Sequence, residues 1–451
     1  VTRSPNTALA TLITASGTSH KALAHRVNQL AARAGRPTAY KHTSVRTWLD
    51  GMVPRPPVPA LLAQALGERL GRAVDIAEIG MAAPGPAGTC GLELPRDPAD
   101  ARRVASAFWR DMHRRAFGRA FAVAAYTLPV TRWLVHPASA APADGGGRRV
   151  GQQDLAELWE QAEQARQWDA RYGGGSWRSS QVVDCLTNRA APLLAGRATQ
   201  QIADGLYSAA AELSRLAGWA AFDAGEHALA QRHFVQALSL ARAGGNAGLG
   251  AYVLATMALQ TMRRGFPNEA IDMAQGAAER AGHDAAPRVL AFARLIEARA
   301  AARVGDERSA ARALSTCERL LDTARDRESP TYIAYFGPAR MASDAVEIYR
   351  DLGKPHVAAG WDAQCAMPSG HTRAVGLRLS VTATAHLQAR DLDQGIAVAR
   401  RAVDILAGVT SDRAREYIGD IHTALTPWAR EPRVQAWQTY ARHRLNGGTP
   451  T

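Results

Sequence analysis

Apolar residues recur at three- and four-residue intervals along most of the chain, the spacing of amphipathic helices. The breaks between these runs are short and marked by Gly or Pro. Over residues 1–81 the pattern predicts a compact set of helices. One runs over 5–15 through Ala8, Leu12 and Ile13. A second starts after Ser19, carries Leu23, Val27 and Leu30, and ends near Ala34 before Gly35-Arg36-Pro37. A short third follows Thr43 and stops at Gly51, a residue suited to the left-handed position past a helix end. A fourth covers 58–70, and 75–81 is a candidate fifth. Residues 82–151 read as a linker region, Pro- and Gly-rich over 82–98 and 137–151, with a basic helix over about 100–124 between. That helix holds Arg102, Arg103, Arg110, Arg114, Arg115 and Arg119, with Phe108, Trp109, Phe117 and Phe121 as its apolar component. It either meets DNA phosphates or docks on the helical remainder with its arginines in solvent. From 152 to 445 the helical periodicity continues, interrupted at Gly173-Gly174-Gly175, and 446–451 should fray.

Within the long helical stretch three segments align without gaps: 218–238, 258–278 and 298–318. Each has a first helix ending at a glycine (Gly225, Gly265, Gly305) and a second helix with small or apolar residues at i, i+4 and i+7. Those triplets are Ala230/Phe234/Ala237, Ala270/Ala274/Ala277 and Ala310/Leu314/Cys317. Small residues there let the two helices of a hairpin approach, while the next hairpin covers the remaining apolar face. Ala217-Gly218 with Ala230, Phe234 and Ala237 resembles the tetratricopeptide repeat, although the 40-residue period from Ala230 to Ala270 to Ala310 exceeds the usual spacing of about 34. Less regular units fall around Val346–Ala366 and Ala383–Ala402, and 412–445 reads as a terminal hairpin. The fold class predicted is all-α: an N-terminal helix-turn-helix domain over 1–81 followed by a tetratricopeptide-like α-solenoid over 152–445.

Composition agrees with a helical protein and adds a charge asymmetry. The chain has 93 Ala, 51 Arg and three Lys, and Ala and Arg are strong helix formers. With 47% hydrophobic and 6% aromatic residues, disorder and an all-β fold are both excluded. The formal net charge is +13, and residues 1–120 hold 17 Lys+Arg against 8 Asp+Glu. A basic first quarter on a nearly balanced remainder is the footprint of a nucleic-acid-binding module. Cys90, Cys185, Cys317 and Cys365 lie too far apart for metal or redox motifs, and His113, His227, His233 and His386 form no metal-spaced pair with a carboxylate. No stretch has the apolar length of a membrane span. The opening Val1-Thr2-Arg3-Ser4-Pro5, where Met is expected, suggests an alternative start codon and lacks a signal pattern, giving the expectation of a cytoplasmic protein. Nucleotide-binding, esterase and metalloprotease motifs are missing, so no enzyme, cofactor or metal is expected.

The segment HTSVRTWLDG (42–51) has the design of a recognition helix. Thr43 or Ser44 can N-cap it, Val45 with Trp48 or Leu49 can face a core, and Arg46 and Thr47 can face outward. Arg46 suits a bidentate contact to guanine, and Thr43 a phosphate or a thymine methyl. The candidate DNA-binding set is Lys21, Lys41, His42, Thr43, Ser44, Arg46, Thr47 and Arg55. Val45, Trp48 and Gly51, with Ala24 in the preceding helix, resemble the phage-repressor-like (XRE-type) helix-turn-helix class. Ala24 and Val45 are 21 residues apart, about ten more than that class shows, so the turn carries an insertion, LAARAGRPTAYK. With RYGGG (171–175), APLLAGR (191–197) and LAGWAAFDAG (216–225), the chain resembles actinobacterial transcriptional regulators that join such a head to a tetratricopeptide body.

The resemblance implies a regulator that binds double-stranded DNA as a homodimer and admits a small-molecule or peptide effector. Helix A residues of a tetratricopeptide superhelix line its concave face, which places Arg215, Trp219, Phe222, Arg263, Arg299 and Arg303 toward a groove. Such a basic surface suits a carboxylate or an acidic peptide, unless the arginines are solvated or paired with neighbours such as Glu297 and Asp306. Some regulators with similar bodies hold peptide backbones with Asn side chains. This chain has six Asn, none at those positions, which disfavours peptide sensing of that kind. The alternative to a regulator is a protein-interaction scaffold that binds no specific DNA.

Overall fold

The computed structural model describes residues 5–33, 37–55, 57–71, 74, 76, 78–81, 90–112, 120–136, 148–172, 179–282, 285–325, 329–365 and 372–445. It is all-helical, with no strand among the described residues beyond one isolated bridge between Arg149 and Arg197. The chain divides into two compact units, Val1–Cys90 and Gly91–Thr451.

The first unit holds α1 (Thr7–Ser16), α2 (His20–Arg33), α3 (His42–Leu49) and α4 (Val58–Leu70). Their apolar positions meet in one core built on Leu9, Leu23, Val27, Val45, Trp48, Leu62 and Leu66. Asn6 starts α1: its Oδ1 accepts from the Leu9 amide at 2.9 Å, and its Nδ2 donates to the Ile79 carbonyl at 2.9 Å. The expected fifth helix over 75–81 does not form among its described residues, which are turns. Gly80 there has φ +64°, and a Cβ would lie 2.5 Å from Asn6 Oδ1, so the chain turns tightly against Asn6 where a helix would need to continue.

The capping expectation for α3 is also corrected. The helix starts at His42 after an extended Lys41, which puts Ser44 in its third position. The Ser44 hydroxyl reaches back to accept from the Lys41 amide at 3.3 Å, and Thr43 does not cap.

In the second unit six helix pairs follow one another: α10 (Gln200–Asp223) with α11 (His227–Ala243), α12 (Ala247–Arg263) with α13 (Pro267–Ala281), and α14 (Pro287–Arg303) with α15 (Glu307–Thr323). Then come α16 (Pro338–Asp351) with α17 (Pro355–Asp362), α18 (Thr372–Gln388) with α19 (Leu392–Leu406), and α20 (Asp412–Ala424) with α21 (Pro432–Leu445). Gly225, Gly265 and Gly305 end the first helices of the first three pairs at φ +78°, +91° and +77°, a region that costs a side chain but not glycine. The triplets Ala230/Phe234/Ala237, Ala270/Ala274/Ala277 and Ala310/Leu314/Cys317 are all buried. Gly218 of α10 shows why small residues are needed, since a Cβ there would sit 2.7 Å from the Phe234 ring.

Ahead of the repeats lie α5 (Pro98–Asp111), α6 (Ala124–Val135), α7 (Gln152–Tyr172), α8 (Ser179–Cys185), a π-turn (Leu186–Ala190) and α9 (Ala191–Leu194). The described part of the expected linker from 91 onward packs within this unit. Phe108 and Trp109 of α5 are buried, with Phe108 edge-on to His233 at 4.9 Å. Gln236 of α11 donates to the Gly91 carbonyl at 2.8 Å, and Trp133 of α6 seats against Gly250 of α12. The expected basic helix therefore docks on the repeats through its aromatic side, and Arg110 stays exposed. Arg114, Arg115, Phe117 and Arg119, the segments 82–89 and 137–147, Gly173-Gly174-Gly175 and the tail lie outside the described residues. No helix among the described residues is long and apolar enough to cross a membrane.

Candidate functional site

In the first unit the helical period of α3 separates two sides. Val45 and Trp48 are buried in the core, whereas Lys41, His42, Thr43 and Arg46 are exposed and Ser44 and Thr47 half-buried. Lys21 at the start of α2 and Arg55 before α4 are exposed as well. Among the described residues none of Lys21, Lys41, Arg46 and Arg55 forms an ion pair, in contrast to Arg26, whose Nε donates to Glu68 at 2.7 Å. The Thr47 hydroxyl donates to the Thr43 carbonyl at 2.9 Å, so in this state it is turned to its own helix.

Four of the twelve residues of the apparent insertion, 30–33, belong to helix, because α2 continues to Arg33. The end of the remaining connection is tied by Asn28, which sequence reasoning passed over. Asn28 Oδ1 accepts from the Thr38 hydroxyl at 2.8 Å and the Tyr40 amide at 2.9 Å, and Nδ2 donates to the Tyr40 carbonyl at 2.9 Å. Tyr40 then lies edge-on to Trp48 at 5.2 Å, which fixes the entry into α3. A polar residue one position from the core stripe of a helix was the available signal.

The second unit holds a partly open cavity of about 520 Å³. Its wall comes from the first helix of every pair, α10, α12, α14, α16, α18 and α20, together with α7 and the segment 331–335. Arg215, Trp219, Phe222, Arg263 and Arg299 line it; Arg303 does not, and instead pairs with Asp351 at 2.6 Å and Glu347 at 3.1 Å. The lining arginines are held by carboxylates from other turns and other helices, not by Glu297 or Asp306. Arg299 donates to Asp344 at 2.8 Å and Glu347 at 2.6 Å. Arg215 grips Glu212 through Nε and Nη2 at 2.7 and 2.9 Å. Glu297 is taken by Arg294, and Asp306 caps α15 by accepting from the Ser309 amide.

Glu347 is the centre of this network and was missed because its unit departs from the clear repeats. Burial alone would raise its carboxyl, but the guanidinium groups of Arg299, Arg350, Arg263 and Arg303 outweigh that and hold it well below the usual carboxylate range. Tyr417 of α20 also donates to it at 2.9 Å. Guanidinium groups lie over the rings of the wall: Arg215 over Tyr252 at 4.8 Å, Arg263 over Tyr417 at 4.4 Å and Arg413 over Trp219 at 4.6 Å. The four cysteines are free, and no group of His, Cys, Asp or Glu among the described residues is arranged to hold a metal.

Residues 9–82 match a family described as the SP15 N-terminal domain, a span that holds the described helices of the first unit from Leu9 to the end of α4. No curated protein and no solved structure matches the chain.

Proposed function

We propose that the protein is a DNA-binding transcriptional regulator, with α3 of the first unit as the element that enters the major groove. The observation that carries this reading is the exposed set Lys41, His42, Thr43 and Arg46 at α3, with no ion pair to Lys41 or Arg46 among the described residues, backed by a face locked in the core through Val45 and Trp48. Rigid anchoring of one face lets the other present Arg46 and Thr43 in fixed positions, as base readout requires. Lys21, Lys41 and Arg55 supply phosphate contacts at its flanks. A single eight-residue helix buries little surface, so the reading includes a homodimer on two half-sites, with the repeat body for dimerisation and effector sensing.

The test is an anisotropy titration of the full chain against genomic fragments at two salt concentrations. At least one fragment should bind more tightly than random DNA, with affinity falling steeply as salt rises. Arg46→Ala/Thr47→Ala should erase the preference. Equal binding to every fragment, untouched by the double substitution, would return the protein to the class of interaction scaffolds.

A further inference from the structure

We propose that the cavity of the second unit binds a small aromatic anion, a planar ring system carrying a carboxylate or a comparable acidic group. The proposal concerns the effector side of the reading above but rests on the cavity alone, so it stands or falls independently of DNA recognition. At about 520 Å³ the cavity has the size of a small-molecule site. None of its lining residues is Asn, and its one carboxamide, Gln167, donates to Glu163 at 3.0 Å.

The sign of the charge follows from how the pairs are oriented. Eight arginines line the cavity against four carboxylates, Glu163, Asp169, Asp344 and Glu347. Each of those four is already bonded to an arginine, so a cationic ligand would compete with a guanidinium at every lining carboxylate. Arg215, Arg378 and Arg413 are different: their carboxylate partners, Glu212, Asp362 and Asp223, are not part of the lining. Three guanidinium groups thus face the cavity with their counter-charge behind them.

Arg413 is the least neutralised of the three. Its Nε lies 3.2 Å from Asp223, but Arg373 already donates to the same carboxylate at 3.0 Å. Its nitrogens make no hydrogen bond among the described residues, and burial, countered in part by Asp223, leaves it less basic than a solvated arginine. Arg215 likewise has Nη1 without a hydrogen bond among the described residues. Both guanidinium groups lie over aromatic rings of the same wall, Trp219 and Tyr252. A cavity that offers unfilled guanidinium donors beside aromatic faces stabilises an acidic group and a ring system together.

The probes are naphthoate, an aromatic carboxylate, and naphthamide, its neutral isostere, titrated into the full chain by calorimetry at neutral pH. Naphthoate should bind once per chain, and naphthamide about tenfold more weakly or not at all. Arg413→Gln should weaken naphthoate about tenfold and leave naphthamide unchanged. Ser343→Phe, which fills part of the cavity without altering a charge, should weaken both. If Arg413→Gln loses its cooperative melt, Arg378→Gln takes its place. Naphthamide binding as tightly as naphthoate, no naphthoate binding to the wild type, or a folded arginine variant that binds naphthoate unchanged would each overturn the proposal. Running the DNA titration on the same sample separates the two ideas, because loss of either binding leaves the other measurable.

Discussion

Asp169 and Arg373, 204 residues apart in the chain, form a bidentate pair in which Arg373 Nη1 and Nη2 donate to the two carboxylate oxygens at 3.0 and 2.7 Å. Trp219 Nε1 donates to the same carboxylate at 3.1 Å, so one side chain of α7 joins α10, in the first repeat pair, to α18, in the fifth. A stacked-hairpin body is ordinarily held by neighbour-to-neighbour contacts. Here α7 adds a long-range strap across the first helices, and the cavity lies beneath it.

Cutting that strap should be costly, because each partner leaves a charge behind in a dry place. Asp169→Asn is expected to destabilise the second unit by about 3 kcal/mol, since Arg373 is buried and would keep only Asp223. Arg373→Gln should cost at least as much, leaving two carboxylates short of a partner. The double variant should fall well short of the sum, and chemical denaturation of the four proteins measures this. Additive losses would mean that the pair does not couple α7 to α18.

Close approach of α10 and α11 depends on the missing side chain at residue 218. A Cβ there would be 2.7 Å from the Phe234 ring and 3.1 Å from His233 Cβ, and Phe234 is fully buried. Gly218→Val should lower stability by about 1–3 kcal/mol, read as a drop in the thermal midpoint. Gly218→Ala should be milder but of the same sign.

What could be read in the sequence and what could not divide along physical lines. The 40-residue period was legible because backbone turn chemistry and helix-packing contacts repeat together at Gly225, Gly265 and Gly305 and at Ala230, Ala270 and Ala310. Beyond them a short 3-10 turn at Thr331–Ile333 lengthens the third connection, and in the fifth pair Arg390 takes the left-handed position at φ +64°. The fourth pair keeps the turn glycine, Gly353 at φ +70°, but outside the 40-residue period, so the later pairs fold alike without sharing the full set of marks. In the first unit the alternation of Val45 and Trp48 with Arg46 was enough to separate core from surface. The cavity was legible only on the side of Arg215, Trp219, Phe222, Arg263 and Arg299. Burial needs counter-charges, but nothing local shows that Arg299 will meet Asp344 and Glu347, because those partners arrive from another helix pair.

Asn28 should matter more than its half-buried position suggests. Asn28→Ala removes three hydrogen bonds that tie Thr38 and Tyr40 to α2, and should destabilise the first unit by about 1–2 kcal/mol. Amide exchange in α3 should accelerate while the second unit keeps its protection. If α3 reads DNA, the same variant should bind operator DNA more weakly without any change of charge.

Acid should expose a buried imidazole before it reaches the carboxylates. His233 lies between α5 and the repeats, fully buried, and burial pushes its imidazole down to about 3. In the unfolded chain the same group titrates near about 6.5. Between those values the unfolded state binds the extra proton, so stability is full above about pH 6.5 and declines as the pH falls, by up to about 1.4 kcal/mol per unit. Glu347 acts lower. Its carboxyl is held well below the ordinary range, so its contribution is intact above the unfolded value of about 4.3 and declines only beneath that. His233→Leu should therefore flatten the thermal midpoint between pH 7 and pH 5 and leave the steep loss below pH 4. Some slope should persist from His422, which burial also lowers. An unchanged slope between pH 7 and pH 5 would show that His233 takes up its proton in the folded state, and that α5 moves aside to let it.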